Sequence, residues 1–397
     1  MNANATSRPA PARGPVCYAD LARVLRVLKP YRGPRTGPPF YRAVHIRDGR
    51  LLVTDGVRLA RMQEAAPLDL PDGDWDLYPF LDELAVGGAM PVGGGRRAED
   101  GRLYLSLPHL RLVVPSAYRR SPQEDTLKLP AGPARGDGEA VPLEVPRTVW
   151  EGLLAFAATP SPRFRDAQWR ILEGIALEGV RGHLTLTASE GRRLLTWRAA
   201  PPAPAPLKLS TRTPRWGVLP ALRWPGPATR MTAVRDGKGE GWLRLEGSGV
   251  VIEAPTLAGR YPDWQRILPS AQDRPPIIRW TPAQWGRMTA AWHALRQARP
   301  GDFGVSGRAV IRVADGKAPV VLGETDEPVL ATAPPLFGAD PCVHLAFDPA
   351  CLDGIRYLDP RATTAVYYYG PQNPVIFRQR LTHGELRAVI LPLRQLV

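Results

Sequence analysis

Cysteine is nearly absent from this chain of 397 residues. Cys17, Cys342 and Cys351 are too few and too scattered for a disulfide framework or a zinc site. Long apolar runs are also missing. None approaches the roughly 18 residues that span a bilayer, so no membrane partner is expected. The histidines (His45, His109, His183, His293, His344 and His383) are scattered, with no H-E-x-x-H pair and no Cys/His cluster. No G-x-x-x-x-G-K-[ST] loop occurs, which excludes an ATP-driven motor of that class. Gly93-Gly94-Gly95 runs into the loop-like Arg96-Arg97-Ala98-Glu99-Asp100 and not into a helix start, so it reads as a hairpin turn and not as a phosphate cradle. The opening MNANATSRPAPARGP has no apolar core and reads as a loose tail, not a signal peptide. The cytoplasm is the expected compartment. No cofactor, metal or catalytic residue is nominated.

What the chain does have is positive charge. Fifty-two Lys and Arg against 38 Asp and Glu give +14, nearly all of it arginine. A GC-rich coding bias would favour Arg over Lys, and the 45 prolines and 38 glycines fit such a bias. It does not explain the net excess. A surplus of this size points to a polyanionic partner held through phosphate contacts and counterion release.

The pattern along the chain repeats three times. Each block opens with an amphipathic helix, continues into β-hairpins and is expected to hold a second short helix midway. Leu21, Val24, Leu25 and Leu28 form the first stripe at i, i+3, i+4, i+7, with Arg23, Arg26 and Lys29 away from it. Trp150, Leu153, Leu154 and Ala157 form the second. Trp285, Met288, Trp292 and Leu295 form the third, announced by Thr281-Pro282 and Gln284 as cap, first-turn proline and capping-box partner. Hairpins are predicted over Arg42 to Thr54 (turn at Asp48-Gly49), Ile175 to Thr187 (near Arg181-Gly182) and Ala309 to Leu322 (at Asp315-Gly316). Matching elbows follow the first two, Thr54-Asp55-Gly56-Val57-Arg58-Leu59 and Ser189-Glu190-Gly191-Arg192-Arg193-Leu194. Second helices are expected near Pro79 to Val86, Trp216 to Leu222 and Asp348 to Leu358.

A spacing of about 130 residues makes each block a domain and not a solenoid repeat. The fold class expected is α+β: three domains, each a sheet backed by two helices, over 16–125, 138–262 and 272–397. Asp72, Asp74 and Asp76 could bind a nuclease metal, but their Pro/Gly-bounded setting favours a solvated turn.

One segment fits neither period: Gly259-Arg260-Tyr261-Pro262-Asp263-Trp264-Gln265-Arg266-Ile267-Leu268-Pro269. It closely resembles the stretch that closes the middle domain of bacterial DNA polymerase sliding clamps, the β subunits of DNA polymerase III. The elbow at Ser189 to Leu194 and the ending Val389-Ile390-Leu391-Pro392-Leu393-Arg394 resemble the same family. The likeness covers roughly residues 16 to 394. Glu190 and Arg192 stand where Asp and His are usual, and most bacterial clamps are acidic, so a divergent paralogue is one form the resemblance takes.

The resemblance implies a head-to-tail homodimer closing into a six-domain ring around double-stranded DNA, without sequence specificity. It implies a non-catalytic processivity factor. DNA-facing candidates are Arg23, Arg26, Lys29, Arg32, Arg35, Arg147, Arg163, Arg165, Arg287 and Arg296. It also implies a groove between domains two and three that takes peptides from the polymerase catalytic subunit, the clamp loader and repair proteins. Carried over by motif, that groove comprises Arg170, Leu172, Gly191, Arg192, Arg193, Leu194, Pro262, Arg266, Ile267, Val389, Leu391 and Leu393. The alternatives are a clamp-like decoy that does not encircle DNA and a basic DNA-processing protein with an unadvertised nuclease site.

Overall fold

The computed structural model describes residues 16–33, 38–63, 68–93, 95–107, 109–117, 129, 139–157, 171–180, 183–200, 215–226, 229–235, 241–257, 259–268, 275–297, 309–313, 320–322, 328–331, 343–347, 351, 355, 357–370 and 373–392. The N-terminal tail, most of the 121–139 linker, the hairpin turns at 181–182 and 315–316 and most of the expected helix at 348–358 lie outside them.

The helices in chain order are α1 (Tyr18–Leu28), α2 (Leu81–Val86), α3 (Arg147–Phe156) and α4 (Pro282–Gln297). The strands begin with β1 (Val44–Arg47), β2 (Arg50–Thr54), β3 (Leu59–Met62), β4 (Gly73–Trp75), β5 (Arg96–Arg97), β6 (Leu103–Leu107), β7 (Leu110–Val114) and β8 (Glu139–Leu143). They continue with β9 (Gly174–Val180), β10 (His183–Ser189), β11 (Arg193–Ala199), β12 (Arg215–Pro220), β13 (Arg230–Arg235), β14 (Gly241–Gly247) and β15 (Val250–Pro255). The last are β16 (Ile278–Trp280), β17 (Ala309–Val313), β18 (Val320–Leu322), β19 (Pro328–Ala331), β20 (Val343–Phe347), β21 (Thr364–Tyr367), β22 (Val375–Leu381) and β23 (Gly384–Ile390).

These elements group into two compact units, 1–143 with 225–255, and 144–224 with 256–397. The middle sequence block contributes strands to both. Each unit holds an eight-stranded antiparallel sheet with the same plan. In the first the order is β4-β1-β2-β3-β15-β14-β13-β8; in the second it is β12-β9-β10-β11-β23-β22-β21-β16. Smaller sheets, β5-β6-β7 and β19-β18-β17-β20, complete the two units respectively.

In the first unit the α1 stripe is fully inside: Leu21, Leu25 and Leu28 have no exposure and Val24 almost none. Burying each such side chain is worth about 1.5–3 kcal/mol. The β1–β2 turn places Asp48 (φ 50°) and Gly49 (φ 69°) in the left-handed region, as a two-residue hairpin of matching twist requires. In the second unit Trp150 and Leu153 of α3 and Trp197 of β11 are buried, and the Trp150 indole N–H donates to the Leu222 carbonyl at 3.0 Å. The start of α4 forms the expected capping box: the Thr281 N–H donates to Gln284 Oε1 at 2.8 Å, and the Gln284 N–H to Thr281 Oγ1 at 3.4 Å.

Two expectations are corrected. The stretch from Trp216 to Leu222 is not a helix: residues 215–220 form strand β12, paired with β9. Gly217 and Pro220 disfavour a helix interior, while an edge strand tolerates a terminal proline. Nor does Asp74 sit in a solvated turn. It lies in β4, opposite His45, and is buried.

Candidate functional site

The two elbows are built alike. In the first, Thr54 Oγ1 donates to the Arg58 carbonyl (2.7 Å) and accepts from the Gly56 N–H (2.9 Å). In the second, Ser189 Oγ donates to the Arg193 carbonyl (2.8 Å) and accepts from the Gly191 N–H (3.1 Å). Gly56 and Gly191 have φ of +95° and +96°, which a side chain would strain. Arg58 pairs with Asp55 at 2.6 Å and lies over the Tyr31 ring; Arg193 pairs with Glu190 at 2.7 Å and lies over the Phe156 ring.

The strand register then separates the two units. Following the first elbow, Leu59 of β3 lies opposite Glu253 of β15, which lies opposite Arg244 of β14. Following the second, Leu194 of β11 lies opposite Val389 of β23, which lies opposite Ile376 of β22. One unit thus carries a charged pair where the other carries two aliphatic side chains.

In the second unit these two aliphatic side chains join an apolar cluster. Leu172, Leu194 and Val389 are buried there together with Ile171, Ala176, Val218, Tyr261, Trp264 and Ile376. Leu257, Leu268, Tyr367 and Tyr369 pack against it, half-buried. The 259–268 segment runs over this face. Its Trp264–Ile267 turn is a short 3₁₀ helix, with Trp264 inward and Ile267 half-exposed. Leu391 is also about half-exposed, and its N–H donates to the Arg192 carbonyl at 3.3 Å. Ile267 and Leu391 thus lie exposed, next to Leu268 and two residues beyond Val389 respectively, both of which belong to the cluster region.

The remaining groove candidates take varied positions. Gly191, Arg192 and Pro262 are exposed. Arg266 is exposed and paired with Asp263 at 3.2 Å. Arg193 is turned inward: besides Glu190 it donates to the Ala155 carbonyl at 3.1 Å, so it holds the elbow against α3. Arg170 and Leu393 lie outside the described residues. The motif-based set omitted Tyr261, Trp264 and Ile376. Tyr261 and Trp264 stood in the quoted segment itself, whereas Ile376 is identified by its register opposite Val389.

A cavity of about 640 Å3 adjoins this cluster in the same unit, lined by Glu178, Thr185, Thr196, Arg198, Trp264, Leu268, Glu385 and Arg387, among others. Burial alone would raise Glu385, but bonds from Arg378 and Arg387 outweigh it and hold its carboxyl below the usual range.

Among the expected DNA-facing residues, Arg23 pairs with Asp20 at 3.0 Å and donates to the Ser248 carbonyl at 2.9 Å. Arg26 pairs with Asp82 at 2.9 Å and Arg147 with Glu151 at 2.8 Å. Lys29 and Arg287 are exposed, and Arg32 stacks 4.5 Å above the Tyr78 ring. Arg296 lies on α4, its side chain beyond the description; Arg35, Arg163 and Arg165 lie outside the described residues.

The acidic triplet is structural at its centre. Asp74 accepts from His45 Nδ1 at 2.7 Å and from Arg47. Burial would raise it, yet these partners keep its carboxyl well below the ordinary range. Among the described residues no group of three or more His, Cys, Asp or Glu is placed to hold a metal, and no helix is long and apolar enough to cross a membrane.

No protein-family model matches this sequence, and no curated relative matches it either. Solved structures do match. The DNA polymerase sliding clamp of Bacillus subtilis superposes with a TM-score of 0.69 at 14% identity, over 96% of this chain and 98% of that one. The Pseudomonas aeruginosa sliding clamp, solved with a ligand, gives 0.67 at 13% identity, over 96% and 98%. The Caulobacter crescentus polymerase III β subunit gives 0.68 at 15%, over 96% and 99%. Helix, hairpin, elbow and paired eight-stranded sheets thus assemble into the sliding-clamp fold.

Proposed function

We propose that this protein is a DNA sliding clamp: a homodimeric ring that encircles duplex DNA and docks polymerase, clamp loader and repair proteins through the groove of its second unit. The observation that carries this is the likeness to sliding clamps over 96% of the chain, at a TM-score of 0.69. The three-domain division (16–125, 138–262, 272–397) belongs to the same proposal, as do a cytoplasmic location, no cofactor and no catalytic role.

The chemistry suits sliding. Exposed arginines and lysine on helix faces attract phosphate without reading bases, so no sequence traps the ring. The surface pairs of Arg23, Arg26 and Arg147 are each worth at most about 1 kcal/mol and are readily exchanged for phosphate. The groove offers buried aliphatic and aromatic side chains for an anchor, with Ile267 and Leu391 at its rim. The nuclease alternative draws no support from Asp74, whose carboxylate is taken by His45 and Arg47.

The test is retention on plasmid after loading and a high-salt wash. A ring stays on circular plasmid and leaves when the plasmid is linearised. Equal loss from both forms would reduce the protein to a basic DNA binder or a decoy. Light scattering gives the companion measurement: a dimer of about twice the 43.5 kDa chain is expected, and a monomer at micromolar concentration refutes the ring.

A further inference from the structure

Along β11 the residues sharing the outer face with Leu194 are Thr196 and then Arg198, because side chains alternate along a strand. The register sets Thr196 beside Arg387, which faces Arg378, and sets Arg198 beside Glu385. The apolar row of the groove therefore gives way, within four residues, to a charged one. Trp264 and Leu268 belong both to the apolar cluster and to the wall of the 640 Å3 cavity over the charged rows, so the two regions are continuous.

The charges there do not balance. Arg378 and Arg387 both bond Glu385, which leaves that carboxylate little to offer Arg198 opposite it. Arg198 is exposed and makes no ion pair or side-chain hydrogen bond among the described residues. Glu178, across the cavity, is buried and already has a partner. With Arg380, which the register also sets opposite Glu385, four guanidiniums share this face with two carboxylates, and Arg198 keeps an unused fork. The same wall holds the Trp264 indole N–H, buried without a partner among the described residues. A buried donor left alone asks for an acceptor.

We propose that the groove extends into a carboxylate-binding end, in which Arg198 receives an acidic side chain of the docked peptide. The proposal rests on the groove being a peptide site, as argued above. An acidic side chain is the complement of this positive surplus. An arginine fork in a half-enclosed cavity suits a carboxylate, which it binds through two parallel bonds. Leu194 and Arg198 are about 13 Å apart along the strand, and the arginine reaches back part of that distance. An extended peptide would then carry its acid two to four residues from its apolar anchor.

The test uses the full-length protein and fluorescence anisotropy. The probes are labelled, C-terminally amidated twelve-residue peptides with one Leu-Phe anchor and a single Asp two, three or four residues to either side, each with its Asn counterpart. One Asp register should bind about tenfold more tightly than its Asn twin, the gain of a charge-assisted bond in a partly open site. Arg198→Gln should erase that preference while leaving the Asn peptide's affinity unchanged, and Arg198→Glu should invert it. Equal binding of Asp and Asn peptides at every register overturns the proposal. So does a preference that survives Arg198→Gln, or one that appears only with a free peptide C-terminus. If no peptide of the set binds at all, the groove itself fails as a peptide site, a result distinct from equal binding.

Discussion

The charged pair Glu253–Arg244 and the aliphatic pair Val389–Ile376 occupy equivalent register positions after equivalent elbows, so each can be written into the other's place. Consider Val389→Glu alone. Val389 is 2% exposed, among Leu172, Leu194 and Trp264. The change forfeits about 1.5 kcal/mol of apolar burial and strands a carboxylate, for a total of about 3–5 kcal/mol. Ile376→Arg alone should cost less, about 2 kcal/mol, because a long arginine can carry its charge toward water. The double variant recreates the first unit's pair, with Cβ atoms about 5 Å apart across the strands. It should recover about 1–2 kcal/mol relative to the sum of the singles. Urea unfolding of the four proteins, followed by circular dichroism, measures this coupling. All three variants should lose the anchor peptide. Additivity within about 0.5 kcal/mol would mean that the two positions are not register equivalents, and retained peptide binding by the double variant would mean that the row is not the anchor site.

Two further outcomes are expected. Asp74 is held ionised by His45 and Arg47 against its burial, so its contribution is complete above the ordinary carboxylate value of about 4 and is lost as pH falls below it. Melting curves between pH 5 and 2 should therefore show a steeper loss for the native protein than for Asp74→Asn; parallel curves refute the assignment. Thr281→Ala removes the capping oxygen of α4 and should cost about 1 kcal/mol, read as a lower melting temperature, and an unchanged melt would show the capping box to be idle.

Local chemistry made much of this fold readable. A glycine with positive φ, a hydroxyl two residues before it and an acid–arginine pair wrote both elbows in six letters each. The Thr281–Gln284 box and the Asp48-Gly49 turn were equally local. What escaped was decided by distant partners. Trp216 to Leu222 looked helical until β9 claimed it as a strand, and Asp74 looked solvated until His45 and Arg47, 29 and 27 residues earlier, enclosed it. The proposed groove was legible in part. Leu172, Leu194 and Val389 came from motifs, whereas Ile376 required a cross-strand register that no linear motif encodes. Arg193, nominated in the same set, pairs with Glu190 and donates to the Ala155 carbonyl, contacts set by the elbow and α3.

Each eight-stranded sheet is closed by a seam between strands far apart in the chain: Met62 of β3 waits for Val250, and Ala199 of β11 for Gly384. Both gaps are about 190 residues. At roughly 5–20 residues added per second, a nascent chain would hold β3 as an open edge for about 10–40 s before its partner emerges. Over that interval the unpaired N–H and C=O groups of a half-built sheet are available to any passing strand, including the same strand on a neighbouring ribosome's chain. By the time β15 arrives to close the first seam, β11 has already been exposed in its turn. The architecture therefore adds, during synthesis, an aggregation risk at β3 and β11 that the completed sheets no longer carry there.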